Sequence, residues 1–170
     1  MVESVKQKNA LNTKEQLFVV PKFDVLNEAI IDSSPMVVYK AILNEYAGVT
    51  HWWTPYLESQ LGGDMPIDRE GAIVDITIHL HHMTVSRFSC KITKIVEAKS
   101  VELEYVKGDY AGTGEWTFEP TDGKTKVQFR WKVRPKRLPF LLSPFLDNGK
   151  MHSDVMQKGF KALNSYLSKK

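Results

Sequence analysis

The sequence predicts an α+β domain in which a long C-terminal helix covers one face of an antiparallel sheet. The middle of the chain alternates between runs of β-branched or aromatic residues and polar turn residues, which is typical of consecutive antiparallel strands. The last two runs are apolar on one face only, and a helix with a matching apolar stripe ends the chain. Because an apolar sheet face needs a cover, we expect the helix to pack against it.

The first strand and helix are predicted from a change of pattern near residue 33. The apolar, extended run from Phe23 to Asp32 is followed by Ser34 and Pro35, which together indicate a helix start. A serine hydroxyl can accept an unpaired backbone N–H, and proline fits the first helical position because it needs no donor there. Apolar residues then recur at helical spacing for about three turns, until Gly48 ends the pattern.

Five strands are predicted after this helix. They are placed near residues 71–82, 84–97, 101–107, 112–120 and 124–134. Asp122-Gly123 lies between the last two and readily takes the positive φ angles of a hairpin turn. The side chains of these two strands alternate between an aromatic face and a charged face, so we expect one face to be covered and the other to be wet.

The cover is predicted to be an amphipathic C-terminal helix. Its apolar residues follow steps of three and four: Met156, Phe160, Leu163 and Leu167. Gly159 costs about 1 kcal/mol of helix propensity relative to alanine, so we expect it to permit close approach of the helix to the sheet.

Length and composition indicate one domain without a nucleic-acid surface. A chain of 170 residues suits a single core, expected over residues 21–170, and the polar residues 1–20 are expected to form an arm of the loose kind common at termini. The net charge of +3 comes from 23 basic and 20 acidic residues that are interspersed, so nucleic acid is not an expected partner. With one cysteine, no secretory signal and no membrane-length apolar run, the expected location is cytoplasmic.

Three passages give the chain a resemblance to a known superfamily. They are IIDSSPMVVYKAILNEY, HWWTPY and GTGEWTFEPTDGKTKVQFRWKV. They resemble the START-like, or Bet v 1-like, superfamily (SRPBCC), and more closely its bacterial polyketide cyclase/dehydrase and lipid transport branch. The resemblance covers roughly residues 23–168, and its motifs specify the fold better than the function.

The resemblance implies a helix-grip fold, in which a curved antiparallel sheet wraps around the long C-terminal helix. It also implies two short helices after the first strand, the second of them rich in aromatic residues. It also implies a cavity between sheet and C-terminal helix that takes a hydrophobic small molecule or lipid, without a cofactor. The candidate lining residues are Trp53, Phe88, Tyr105, Trp116, Phe118, Phe129, Trp131, Met156 and Phe160. For each, ordinary core packing is the competing interpretation, since aromatic residues dominate core burial. Tyr105 and Trp131 also carry polar groups that would need a partner inside.

Neither the histidines nor the cysteine is predicted to be catalytic or metal-binding. His79 and His81 would project from one face of a strand, as metal ligands could, but they also continue the polar phase of a solvated sheet face. His51 could serve as a general base, yet no side chain stands at a spacing that would orient it. Cys90 alternates with apolar residues and is expected to be a small buried side chain.

The segment RPKRLPFLLSPFL, residues 134–146, places basic residues before an apolar run. Such a combination could touch an anionic membrane transiently while a lipid enters or leaves. The competing interpretation, which we prefer, is a cap over the cavity, because the apolar run is short and interrupted by prolines.

The leading functional hypothesis is a binding module that shields a hydrophobic molecule from water. A cyclase or dehydratase that shapes a polyketide-like substrate is the alternative, and it needs ionisable groups that converge in the cavity. A third hypothesis is a partner-binding domain of the stress-response or chaperone-regulator kind, which would expose a large apolar patch.

Overall fold

Seven strands and two helices form the part of the chain that the computed structural model describes, residues 23–136 and 147–170. The strands are β1 (Phe23–Ile31), β2 (Leu57–Leu61), β3 (Ile73–Leu80), β4 (Met83–Val96), β5 (Ser100–Gly108), β6 (Tyr110–Thr121) and β7 (Lys124–Pro135). The helices are α1 (Pro35–Tyr46) and α2 (Asn148–Leu167). The predicted arm, and the greater part of the segment 134–146, lie outside the described residues.

All neighbouring strands are antiparallel, in the order β1-β7-β6-β5-β4-β3-β2. The sheet curls into a half-barrel, and the register shifts in the β3–β4 and β4–β5 pairings are irregularities of the kind that bend a sheet. The predicted α+β class and the five predicted strands are confirmed. Strand β2 was not predicted because its five residues, two of them leucine, carry too little of the alternating pattern.

Helix α1 begins at Pro35 as predicted, and Gly48 takes a φ of 73° just beyond its end. The predicted cap by the Ser34 hydroxyl is wrong, since this side chain makes no capping hydrogen bond. The Ser34 carbonyl instead accepts the N–H of Val38 at 3.1 Å.

The second short helix implied by the resemblance is a run of turns at residues 52–56. Pro55 has no N–H to donate and disfavours a helical conformation at Thr54. A helix that continued through this position would therefore lose a backbone hydrogen bond. The Glu45 carboxylate of α1 accepts backbone N–H groups of this segment instead.

Helix α2 covers the concave face of the sheet, as the apolar stripe predicted. Met156, Phe160, Leu163 and Leu167 are all buried. The opposite face of the sheet is polar, and an Arg130–Asp24 ion pair joins β7 to β1 there at 2.9 Å. No helix among the described residues has both the length and the hydrophobicity of a membrane span.

Candidate functional site

A cavity of about 70 Å³ lies between the concave face of the sheet and the N-terminal half of α2. Six of the nine candidate residues line it: Trp53, Phe88, Tyr105, Phe129, Trp131 and Met156. Lining residues that the sequence analysis did not single out for a binding role include Tyr46, Cys90, Tyr110, Asn148, Met151 and His152. The lining therefore combines aromatic side chains of the sheet with one face of α2.

The other three candidates, Trp116, Phe118 and Phe160, do not line the cavity. They pack in the neighbouring part of the core, where the rings of Trp116 and Phe129 lie 4.7 Å apart and Phe160 meets Trp116 edge-on. The indole N–H of Trp116 donates to the Tyr46 hydroxyl at 2.9 Å. For these residues the structure fits the competing interpretation, ordinary core packing.

Glu45, near the end of α1, holds the aromatic segment that follows the helix. Its side chain is buried, and its two carboxylate oxygens accept the backbone N–H groups of Trp53 at 2.9 Å and Trp52 at 3.0 Å. The hydroxyl of Thr50 donates to the same carboxylate at 2.8 Å. Hydrogen bonds to a charged acceptor are stronger than neutral ones, so Glu45 fixes the position of both tryptophans.

Trp53 links this segment to α2. Its indole N–H donates to the Val155 carbonyl at 3.1 Å, and the Trp52 ring stacks on the Trp53 ring with centroids 5.2 Å apart. A Cβ added to Gly159 would lie 2.2 Å from the Trp53 indole. Gly159 therefore permits a close approach of α2, but to the Trp53 indole rather than to the sheet as expected.

Trp131 and His152 form the wall of the cavity where β7 faces the first turns of α2. The imidazole of His152 stacks on the indole of Trp131 with centroids 4.1 Å apart and planes 6° apart. Tyr110 meets the same indole edge-on at 5.2 Å, and Phe23 of β1 stacks on it at 5.8 Å. The ring of His152 is thus enclosed by aromatic surface on the sheet side.

Two polar atoms of α2 at this wall lack a hydrogen-bond partner among the described residues. They are Nε2 of His152 and Oδ1 of Asn148, and both atoms are inaccessible to solvent. Desolvation lowers the pKa of His152 to about 3, so its imidazole is neutral at pH 7. The sequence carried one signal for these residues, because Asn148, His152, Met156 and Phe160 are spaced by four and continue one helix face.

Burial keeps the other ionisable groups of the lining neutral as well. It raises the pKa of the Tyr46, Tyr105 and Tyr110 hydroxyls above the usual tyrosine range, and for Tyr105 a hydrogen bond with Trp131 opposes this in part. The thiol of Cys90 is buried, as expected, and burial raises its pKa too. A protonated thiol in an apolar wall is a packing group rather than a nucleophile.

The remaining histidines are not assembled into a metal centre. His79 lies with Nε2 3.4 Å from the Glu58 carboxylate and Nδ1 3.2 Å from the Thr84 hydroxyl. The expectation that His81 shares its strand face is wrong, because β3 ends at Leu80 and His81 takes a φ of 50° in the turn. Among residues 23–136 and 147–170, no three His, Cys, Asp or Glu side chains are grouped as metal ligands would be.

Sequence comparison assigns the family. A family model described as polyketide cyclase / dehydrase and lipid transport matches residues 22–168, which is most of the chain. The chain belongs to this polyketide cyclase / dehydrase and lipid transport family. The resemblance noted from the sequence is thereby confirmed. Membership of the family suggests a domain that binds hydrophobic ligands. No curated protein matches the sequence.

Solved structures share the fold of this family member at low sequence identity. A START superfamily protein from Mycobacterium smegmatis has a TM-score of 0.68 at 13% identity, over 86% of this chain and 97% of that one. Ara h 8.0201 has a TM-score of 0.64 at 17% identity, over 88% and 100%. Ginseng major latex-like protein 151 from Panax ginseng has a TM-score of 0.63 at 12% identity, over 85% and 97%. At these identities the similarity shows the fold alone.

Proposed function

We propose that this domain binds a hydrophobic small molecule or lipid in the cavity beside α2 and shields it from water, without changing its covalent bonds. The observation that carries the proposal is the lining itself. Aromatic and aliphatic side chains from six strands and both helices converge on one cavity, with a few polar side chains among them. This is the usual chemistry of a small-molecule site, in which apolar burial supplies affinity and polar groups supply orientation.

The size of the cavity adds a requirement to the proposal. Drug-sized ligands occupy sites of about 300–1,000 Å³, and the cavity described here has about 70 Å³. A lipid-sized ligand therefore needs the lining to move outward. Met151 and Met156 both face the cavity from α2, and methionine repacks more easily than branched or aromatic side chains.

The charge state of the lining favours binding over acid–base catalysis. A general acid or base works best when its pKa lies near the operating pH. The pKa of His152 is about 3, and burial raises the pKa values of the lining tyrosines and of Cys90. At pH 7 these groups are neutral and neither gain nor lose a proton readily, which suits recognition of a ligand better than transfer of a proton.

The proposal can be tested by filling the cavity and measuring the binding of 1-aminoanthracene, an uncharged fluorescent probe. Val85 lines the cavity, whereas Val106 is exposed on β5, so Val85→Trp and Val106→Trp introduce the same side chain in the two places. We expect Val85→Trp to weaken probe binding roughly tenfold through lost space and Val106→Trp to leave it within about twofold. Equal affinities in the two variants would contradict the proposal.

Native mass spectrometry of gently purified protein tests the same proposal on the natural ligand. We expect a mass above that of the denatured chain, and organic extraction followed by mass spectrometry then identifies the bound compound. The excess mass should be absent from the Val85→Trp variant and present in Val106→Trp. A retained excess mass in Val85→Trp would place the ligand outside the cavity.

A further inference from the structure

The wall of the cavity formed by α2 carries two polar side chains, each with a buried atom that makes no hydrogen bond to the described residues. Asn148 and His152 are four residues apart, so they lie on the same face of the helix, and both line the cavity. Asn148 is 4% exposed. Its Oδ1 and the Nε2 of His152 have no hydrogen-bond partner in the described part of the chain.

Leaving two buried polar atoms without partners is costly for a structural core. Each such atom costs about 1–3 kcal/mol when it has lost water and gained no partner. Buried polar groups in folded proteins are for this reason almost always paired. Two unpaired atoms that line one cavity are therefore the groups that a bound molecule can satisfy.

We propose that Asn148 and His152 form a recognition subsite for a hydroxyl group on the hydrophobic ligand. This inference rests on the proposed function and specifies the class of ligand. The carbonyl oxygen of Asn148 accepts a hydrogen bond, and the Nε2 atom of neutral His152 either donates or accepts according to its tautomer. A hydroxyl can donate to Asn148 and, at the same time, accept a hydrogen bond from the Nε2–H tautomer of His152.

The surroundings of the pair select an uncharged ligand group. None of the described lining residues is Asp, Glu, Lys or Arg, so a carboxylate or an amine of the ligand would have no ionic partner. His152 is stacked on Trp131 and neighbours Phe129, and it is neutral at pH 7. Burying an unpaired charge costs far more than burying a hydroxyl that makes hydrogen bonds.

The test compares two small probes that differ by one hydroxyl, toluene and benzyl alcohol, in NMR titrations of the full chain. The indole N–H signals of Trp53 and Trp131 report occupancy, because both rings line the cavity. The measured quantity is the toluene dissociation constant divided by the benzyl alcohol dissociation constant. We expect this ratio to fall roughly fivefold in His152→Phe and in Asn148→Leu, since each removes one hydrogen bond to the hydroxyl.

Asn27→Leu is the matched control. Asn27 is also buried, its Oδ1 also lacks a partner among the described residues, and its Nδ2 donates to Ser153 at 3.0 Å. It does not line the cavity. The same chemical change at Asn27 should therefore leave the ratio of dissociation constants unchanged, whatever it does to stability.

The possible results separate this inference from the proposed function. If neither probe shifts the indole signals, both the proposed function and the subsite are overturned. If both probes bind and the ratio is the same in wild type, His152→Phe and Asn148→Leu, the domain binds hydrophobic molecules and the subsite alone is wrong. Benzoate, the charged counterpart, should show no binding at pH 7, and binding as tight as that of benzyl alcohol would also overturn the subsite.

Discussion

Two ends of the same aromatic core differ in whether their buried polar atoms have hydrogen-bond partners. At the packed end, which extends from Trp53 at the border of the cavity to Trp116 and Phe160, each indole N–H has an acceptor, the Val155 carbonyl or the Tyr46 hydroxyl. At the cavity end, Asn148 and His152 each keep an atom without a partner among the described residues. Both ends are rich in aromatic side chains, so hydrophobicity does not distinguish them.

The difference separates a region that stabilises the fold from a region available for binding. Satisfied hydrogen bonds and close packing lower the free energy of the folded state and fix one arrangement of side chains. Unsatisfied buried atoms beside a cavity raise that free energy until a ligand pairs with them. Substitutions at the packed end should therefore act mainly on stability, and substitutions at the cavity end mainly on binding or on the response to pH.

The largest effect on stability is expected at Glu45, which anchors the packed end. Glu45→Leu would leave the backbone N–H groups of Trp52 and Trp53 without the carboxylate that accepts them at present. We expect a loss of about 4 kcal/mol in the free energy of unfolding, because one buried and one partly buried donor lose their acceptor. Urea denaturation followed by circular dichroism measures this loss.

Glu45→Gln is the control for this prediction. Glutamine keeps the length of the side chain and one acceptor oxygen, so it should cost clearly less than leucine. Equal losses in the two variants would mean that the hydrogen bonds to the backbone do not hold the packed end, and the contrast between the two ends would lose its main support.

A smaller loss in the free energy of unfolding is expected when a methyl group is added beside Trp53. The Cβ of Gly159→Ala would lie 2.2 Å from the Trp53 indole, whose N–H is bonded to Val155 and whose ring cannot retreat without breaking that bond. We expect a net loss of about 3 kcal/mol, because overpacking outweighs the roughly 1 kcal/mol that alanine adds to helix propensity.

Gly149→Ala tests whether the loss at Gly159 comes from the close contact rather than from the helix. Gly149 lies on the same helix, and a Cβ there would have its nearest neighbour, Oδ1 of Asp147, at 3.3 Å. We expect its free energy of unfolding to stay within about 0.5 kcal/mol of wild type or to rise slightly. If both variants lose the same stability, close packing against Trp53 is not the cause.

The sequence predicted the sheet and helix α2 because those elements follow local periods. The Asp122-Gly123 turn and the alternating faces of β6 and β7 are readable from neighbouring residues, and the structure has them where they were expected. The sequence did not indicate which aromatic residues reach the cavity. Trp116 and Trp131 both face inward, and the position of α2 along the curved sheet decides that only Trp131 lines the cavity.

The missed residues depend on contacts between distant parts of the chain. Glu45 has the appearance of an ordinary polar residue near a helix end, and its importance comes from accepting the backbone of the turn that follows. His152 continues the four-residue spacing of α2, but a histidine within a mixed helix face gives no sign of stacking on an indole of β7. Side-chain burial of this kind follows from tertiary packing and not from a local pattern.

The smallest predicted effect concerns the response of the cavity end to pH. The pKa of His152 is about 3 in the folded domain, whereas the ordinary histidine value is 6.5. As pH falls below 6.5, the unfolded chain gains a proton at this histidine and the folded domain does not, so stability is lost with falling pH. Between pH 7 and pH 5 this group should remove about 2 kcal/mol from the free energy of unfolding. The other ionisable lining groups, tyrosines and Cys90, have raised pKa values and do not titrate there.

His152→Phe isolates this contribution, because phenylalanine can stack on Trp131 and does not titrate. Urea denaturation at pH 7 and pH 5 gives, for each protein, the free energy of unfolding that is lost between the two pH values. The loss in wild type should exceed the loss in the variant by about 2 kcal/mol. Carboxylates elsewhere affect both proteins alike and cancel in the comparison. NMR titration of the His152 ring in the folded protein gives the same answer independently of stability. A ring that titrates near 6.5 would show that the cavity end is wet, and the contrast with the packed end would then be one of hydration rather than of unpaired atoms.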